Sequence, residues 1–361
     1  MRNAVTMNSA PPLSATLLPA PLNPTTKFAT THPHMTAAVP RASKLFTCRI
    51  CHVRAPADTY RVREMMFGSR EEFDYFACPA CGCLQIAEIP ADLARHYGPG
   101  YYSFAERPPR HGLQAQLVRA RNRYLSGRAD PIGWAVSRVK PYLAMAALRP
   151  LGLRRNARIV DVGCGGGELL LALQSIGFDQ LLGVDPFVPN DLDLGGGLNV
   201  LRTNLSSITG MRELVMFHHS LEHIANPREM LTAACRLLMP RGRCLVRIPT
   251  VSSYAWRKYG VNWCALDAPR HLYLHSVKSI HLLAQQAGFS VERIQSDSTA
   301  FQFWGSEQYA RDIALMTPGS HAIAPAAGAF TAAELKDFAR RAAQLNREND
   351  GDQIVVTLRR S

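Results

Sequence analysis

The chain has 361 residues, 47% of them hydrophobic, with 41 Lys/Arg against 28 Asp/Glu for a net charge of +13. That is enough for one large α/β domain with smaller additions, and no apolar run approaches the roughly 20 residues of a membrane-spanning helix. Residues 1–58 carry six basic side chains against one acid, residues 104–158 twelve against two, and residues 159–361 nineteen of each, which excludes a strongly basic carboxyl-terminal half.

Taken in chain order, residues 1–44 are rich in Pro, Ala and Thr, and the first acid is Asp58. They read as a disordered tail, with Met35 as an alternative start. The prolines argue against the amphipathic helix of a transit peptide, and no secretory apolar segment stands out. Residues 45–90 hold Cys48-x-x-Cys51 and Cys78-x-x-Cys81, 26 residues apart, with short β-type runs at Tyr60 to Val62 and Phe73 to Phe76 between them. Two knuckle turns of this kind can supply four thiolates in tetrahedral geometry, so the reading is a small zinc-ribbon-like β domain with structural Zn2+ on Cys48, Cys51, Cys78 and Cys81. The interval is a little wider than usual, and Cys83 is surplus, read as a small buried residue. Nine cysteines in such clusters fit a reducing cytoplasm better than a disulfide framework.

Residues 91–150 read as a basic helical linker or cap, with an aromatic run at 96–102 and helical patterns around 112–126 and 133–147. Arg110, Arg119, Arg121, Arg123 and Arg128 suit a solvated face by default, with phosphate or an acidic lipid surface as alternatives. From 151 to 361, strands are predicted at 158–163, 181–185, 198–202, 213–218, 243–248, 290–295 and 353–359, and helices at 166–177, 227–239, 276–288 and 331–346. This alternation implies a seven-stranded, mostly parallel sheet sandwiched by helices. Residues 251–275 and 296–330 are expected to be irregular insertions over a site or interface.

The first strand runs into Asp161-x-Gly163-x-Gly165-x-Gly167, and the second ends on Asp185, 22 residues after Gly163. Glycines let a ligand lie against bare backbone, a helix N-terminus favours an anionic group, and an acid at the next strand tip suits a ribose diol. A dinucleotide is the rival ligand, but the acid before the glycines would repel a pyrophosphate and can instead bond an ammonium group. A nucleoside carrying an amino-acid tail fits better.

These residues resemble the first motif of class I S-adenosylmethionine-dependent methyltransferases. So do the later ones: Phe217-His218-His219-Ser220-Leu221-Glu222-His223, Asn226-Pro227, Leu237-Leu238-x-Pro240-x-Gly242 and Ile248-Pro249, a match spanning about 155–300. The resemblance implies a Rossmann-like domain over 151–361 that holds S-adenosylmethionine through Asp161, Gly163, Cys164, Gly165, Gly167, Asp185, Pro186, Asn204, Leu205 and His218. Asn204 stands where the family often has an acid, Glu213 where Asp is commoner, and Arg241 where a glycine is commoner.

An acceptor hydroxyl or carbon acid needs a base, and His219, His223 and His271 are the candidates, with Glu222 to orient one of them. The cluster Trp263-x-x-x-Asp267-x-Pro269-Arg270-His271-Leu272 resembles a segment of bacterial sugar and surface-polysaccharide methyltransferases, and Arg270 is read as a candidate anion holder. The function expected is O- or C-methylation of a small molecule such as a nucleotide-linked sugar. The alternative is an RNA methyltransferase gripping nucleic acid with ribbon and linker; the neutral carboxyl-terminal half and the lack of an Asn-Pro-Pro-Tyr type motif weigh against it. A third reading is a cofactor-binding scaffold without turnover. The sequence is silent on oligomeric state.

Overall fold

The computed structural model describes residues 41–97, 111–325 and 329–361; the tail at 1–40, residues 98–102 of the aromatic run and Arg110 lie outside them. The first four strands, β1 (Arg41–Thr47), β2 (Arg54–Arg63), β3 (Glu72–Ala77) and β4 (Leu84–Ile86), form an antiparallel meander with the two Cys-x-x-Cys turns at β1–β2 and β3–β4. The sheet is extended by a strand from far along the chain, β11 (Tyr273–Leu274), which pairs with β4.

A helical hairpin follows. α1 (Gly112–Leu125) and α2 (Pro131–Val139) meet where Gly133 lies so close to α1 that an added Cβ would stand 2.1 Å from the Ala120 carbonyl oxygen. α2 starts at Pro131 and is capped by Asp130, whose Oδ1 accepts from the Gly133 N–H at 2.8 Å. The short α3 (Leu143–Ala146) buries Met145 in the core.

The large sheet holds β5 (Ile159–Val162), β6 (Leu181–Val184), β7 (Leu192–Asp193), β8 (Asn199–Leu201), β9 (Arg212–His218), β10 (Leu238–Pro249), β12 (Phe289–Ser296) and β13 (Gln353–Arg360), in the order β12-β13-β10-β9-β5-β6-β8-β7. The run β10-β9-β5-β6-β8 is parallel, while β12, β13 and β7 pair antiparallel. All seven expected strands are present, and β7 is a two-residue addition at one edge.

The strands read as continuous apolar runs because both faces are covered. Along β9, Val215 and Phe217 join one buried cluster with Leu231 of α5 (Pro227–Leu237) and Leu283 of α7 (Val277–Gln286). Leu214 and Met216 join another with Leu170 and Leu173 of α4 (Glu168–Gln174). α9 (Ala332–Arg347) begins at a capping box of Thr331 and Glu334.

The segments expected to be irregular contain helices instead: α6 (Tyr254–Tyr259) and α8 (Phe301–Ala310). α8 buries the polar Gln302, Ser306 and Gln308 beside Phe303 and Tyr309 while Phe301 and Trp304 are only half-buried, so polarity along it does not follow burial and betrays no helical period.

Candidate active site

The carboxyl ends of β5, β6, β8 and β9 form one edge, where an open α/β sheet binds ligands. Gly163, Gly165 and Gly167 all adopt positive φ, at 71°, 53° and 76°. A Cβ on Gly163 would also stand 2.5 Å from that of Ser220, so the turn needs glycine twice over. Ser220 locks the edge by donating its hydroxyl to the Val162 carbonyl at 2.6 Å. The Asp185 carboxylate accepts from the Gly165 and Phe187 N–H groups, each at 2.8 Å, which fixes its direction at the strand tip. Burial nevertheless pushes its carboxyl above the usual range.

Asp161 is buried and its Oδ1 has no hydrogen-bond partner; desolvation, with Asp185 adding to it, drives its carboxyl well above the ordinary range. The His218 ring nitrogens are likewise buried without partners, and burial holds that ring neutral. These orphaned atoms beside a bare-backbone cradle fit a ligand with an ammonium group and a polar nucleoside. The remaining candidates are placed unevenly. The Cys164 side chain packs toward Gly183, Pro186 is exposed beside Asp185, Asn204 is exposed at the start of a 3-10 turn, and Leu205 is buried in the core.

Beyond β9 the chain turns sharply, with His219 at φ 52°. Glu222 is fully buried, its Oε1 lying 3.3 Å from His219 Nδ1 and 3.9 Å from His271 Nε2, in poses that leave both oxygens without a hydrogen bond. Burial would raise its carboxyl, but the surrounding His219, His223 and His271 outweigh this and set it at about 2. Glu222, His223 and His271 each offer a ligand atom within 4.8 Å of the others, a set that could hold a cation as well as a proton.

The three histidines are not equivalent. His219 Nε2 is taken by the guanidinium of Arg247, which Asp297 and Gln353 hold in turn, so no free lone pair is left on that nitrogen. His223 Nδ1 meets the Arg270 carbonyl at 2.9 Å and the Tyr97 hydroxyl at 3.0 Å, and burial lowers its pKa to about 4. His271 donates from Nδ1 to the Ala265 carbonyl at 2.8 Å, since a carbonyl can only accept. That leaves His271 Nε2 facing two carboxylates, 3.9 Å from Glu222 Oε1 and 3.8 Å from Asp267 Oδ2.

A cavity of about 180 Å³ opens here, lined by Met66, His219, Asp267, His271, Tyr309 and Gln353 among others. Arg270 does not face it as an anion holder. Its side chain is fully buried and its donors go to Asp267, to Glu64 Oε1 at 2.9 Å and to the His96 carbonyl at 3.0 Å. Burial would raise Asp267, but Arg270 lowers its pKa to about 2. Glu64 in turn accepts from the N–H groups of Met66, Phe67, Gly68 and Ser69, so Arg270 joins the β2–β3 loop to the segment bearing His271.

Asp267, Arg247, Tyr97, Tyr309 and Gln353 were not singled out as site residues from sequence; Asp267, within the Trp263 cluster, and Tyr97, within the aromatic run read as a cover for the cofactor, had a local signal, and the others had none. Tyr97 alone belonged to the aromatic run; its ring stacks on Phe187 at 5.7 Å, just past Asp185.

At the other end of the first sheet, Cys48, Cys51, Cys78 and Cys81 gather their sulfurs within 4.8 Å. Cys48 and Cys81 stand 3.6 Å apart, and Cys51 and Cys78 3.5 Å. Cys48 Sγ accepts from the Ile50 N–H at 3.3 Å and from Gln85 at 2.8 Å. The Cys81 hydrogen bond lowers the Cys48 thiol to about 4 while Cys81 is raised. Cys83 is buried outside the cluster, 3.9 Å from His275 Nδ1.

Residues 136–294 match a family model described as a methyltransferase domain. The fold is that of a class I methyltransferase. Among curated proteins, the chain is similar to the ubiquinone biosynthesis O-methyltransferase of Xanthomonas oryzae pv. oryzae strain PXO99A, 28% identical over 144 residues, covering 36% of this chain and 60% of that one. The same figures hold for strain MAFF 311018, so the chain spans about 60% of the length of these relatives. Among solved structures, an S-adenosylmethionine-dependent methyltransferase from Mesorhizobium loti is 17% identical with a TM-score of 0.37, covering 61% of this chain and 100% of that one. The magnesium protoporphyrin IX methyltransferase of Synechocystis, with bound SAH, is 15% identical with a TM-score of 0.34, covering 74% and 92%. Among the described residues no helix is long and apolar enough to cross a membrane.

Proposed function

We propose that this chain transfers a methyl group from S-adenosylmethionine to an oxygen of a small molecule, with His271 as the base. The observation that carries the reading is His271 Nε2 at the cavity wall, its ring fixed through Nδ1 by the Ala265 carbonyl and flanked by the Glu222 and Asp267 carboxylates. The sulfonium of the bound cofactor supplies the methyl group. With the cofactor bound, His271 would take the proton of an acceptor hydroxyl in the cavity as the oxygen–carbon bond forms and the sulfur–carbon bond breaks. Glu222 and Asp267 then favour the imidazolium, while Asp161 would receive the cofactor's ammonium group and Asp185 its ribose.

The O-methyltransferase name of the curated relatives supports an oxygen acceptor. A half-open cavity of about 180 Å³ with Asp267, Tyr309 and Gln353 on its walls suits a compact hydroxylated acceptor of carbohydrate type better than a polynucleotide. The four cysteines are read as a structural Zn2+ site, since Zn–S bonds of about 2.3 Å set sulfurs roughly 3.8 Å apart in a tetrahedron, near the observed spacings.

The test is incubation with methyl-labelled S-adenosylmethionine and a panel of free and nucleotide-linked sugars, with mass analysis of products. His271→Ala is expected to lower turnover about 10²–10³-fold while cofactor affinity stays within about twofold. Undiminished turnover by His271→Ala removes the base, and methylation of RNA with none of any small molecule removes the acceptor class.

A further inference from the structure

The α1–α2 hairpin presents an apolar stripe that does not face the core. In α2, Ile132, Ala135, Val136 and Val139 recur at i, i+3, i+4 and i+7, the pattern of a buried helix face. Yet Ile132 is 60% exposed, Val139 is 79% exposed and Ala135 is also exposed. The helix packs on α1 by a different side, through Gly133 against Ala120 and Tyr124.

On α1, Leu113, Leu117, Ala120 and Tyr124 fall at i, i+4, i+7 and i+11, along the face that meets α2. The helices run antiparallel, with Arg121 Nη1 reaching the Lys140 carbonyl at 3.4 Å. This sets Leu113, 71% exposed, and Leu117 toward the end of α2 that carries Val139. Trp134 is exposed on the opposite side of α2, with the Arg138 guanidinium 5.5 Å over its ring.

The same hairpin is basic. Residues 111–142 carry six Lys/Arg and one acid, Asp130, which is spent on capping α2 and on Arg123. Arg119, Arg138 and Lys140 are exposed.

We propose that this hairpin docks the protein on an anionic phospholipid surface. Exposed aliphatic side chains enter the boundary between headgroups and acyl chains, and basic side chains meet the lipid phosphates. A second copy of the chain is disfavoured as occupant, because two hairpins of like charge repel. A polynucleotide would use the basic residues but leave Ile132, Val139 and Leu113 in water, so the aliphatic exposure decides for lipid. The docking surface lies outside the cavity and does not depend on the methyltransferase reading.

The experiment is flotation of the full-length protein with phosphatidylcholine vesicles, with and without phosphatidylglycerol. Two double variants, Ile132→Ser with Val139→Ser and Arg138→Gln with Lys140→Gln, change exposed positions only. Circular dichroism and cofactor binding verify that both stay folded. The protein is expected to float with the phosphatidylglycerol vesicles and not with pure phosphatidylcholine. The charge variant should bind about fivefold more weakly for each charge removed. The aliphatic variant should lose binding even at low salt. Failure to float with anionic vesicles overturns the proposal. So does flotation unchanged in both variants, or sedimentation as a dimer that the aliphatic variant disperses. Salt-sensitive binding to RNA that the charge variant alone abolishes, with no vesicle binding, overturns it in favour of nucleic acid.

Discussion

Asp161 shows how one side chain can be unfavourable in the free protein and useful in the complex. It is buried beside Asp185 with an unpartnered oxygen, so its carboxyl holds a proton well above the usual pH range. A cofactor ammonium against it would favour the ionised form, so its pKa falls on binding and a proton leaves. Because the bound state carries fewer protons, cofactor affinity should rise as pH rises through the raised pKa of the free carboxyl, and flatten above it. Calorimetry in buffers of different ionisation enthalpy should therefore find up to about one proton released per cofactor. Asp161→Asn should abolish that release and weaken binding by about 2 kcal/mol, the order of a charged hydrogen bond. Equal proton release by wild type and variant would remove Asp161 from the ammonium site.

The elements differ in how much local sequence specified them. β5, β6, β9 and β10 were legible because strands covered on both faces carry short apolar runs, and the glycine turn because positive φ leaves a residue-type trace. α8 was not, since a helix that buries Gln302, Ser306 and Gln308 and leaves Phe301 and Trp304 half-buried shows no polarity period. Within the site, Glu222 and His223 lie in one local motif, whereas Arg247 reaches His219 across 28 residues and Arg270 reaches Glu64 across 206. No pattern on one strand announces a partner at that distance.

Gly133 is a similar case: it reads as a helix weakener, yet it is the contact by which α2 meets α1. Gly133→Ala should raise intrinsic helix propensity and still destabilise the hairpin, by about 1–3 kcal/mol, because its Cβ would meet the Ala120 backbone at 2.1 Å. Hydrogen exchange in α1 and α2 should speed up while β5 and β9 keep their protection. An unchanged or slower exchange in α1 would show that α1 and α2 do not rest on each other at this point.

Over the whole molecule, the first sheet and the cavity are one mechanical unit. The cysteine cluster closes the β1–β2 and β3–β4 turns, β4 pairs with β11, and β11 follows His271 by two residues. From the other side, the β2–β3 loop holds Glu64 against Arg270, which holds Asp267 against the cavity. None of the four cysteines lines that cavity, while the glycine turn belongs to the other sheet. Opening the cluster should thus disturb the acceptor side and spare the cofactor side. Chelation of the proposed Zn2+, or Cys78→Ser, is expected to leave cofactor affinity within about twofold while lowering turnover by about 10²-fold, the scale of a base misplaced by about 1 Å. Returning Zn2+ to the chelated wild type, but not to the variant, should restore the rate. Metal-free protein that turns over at the native rate would show that the first sheet does not position His271. Loss of cofactor binding in step with turnover would show instead that the two sheets unfold together.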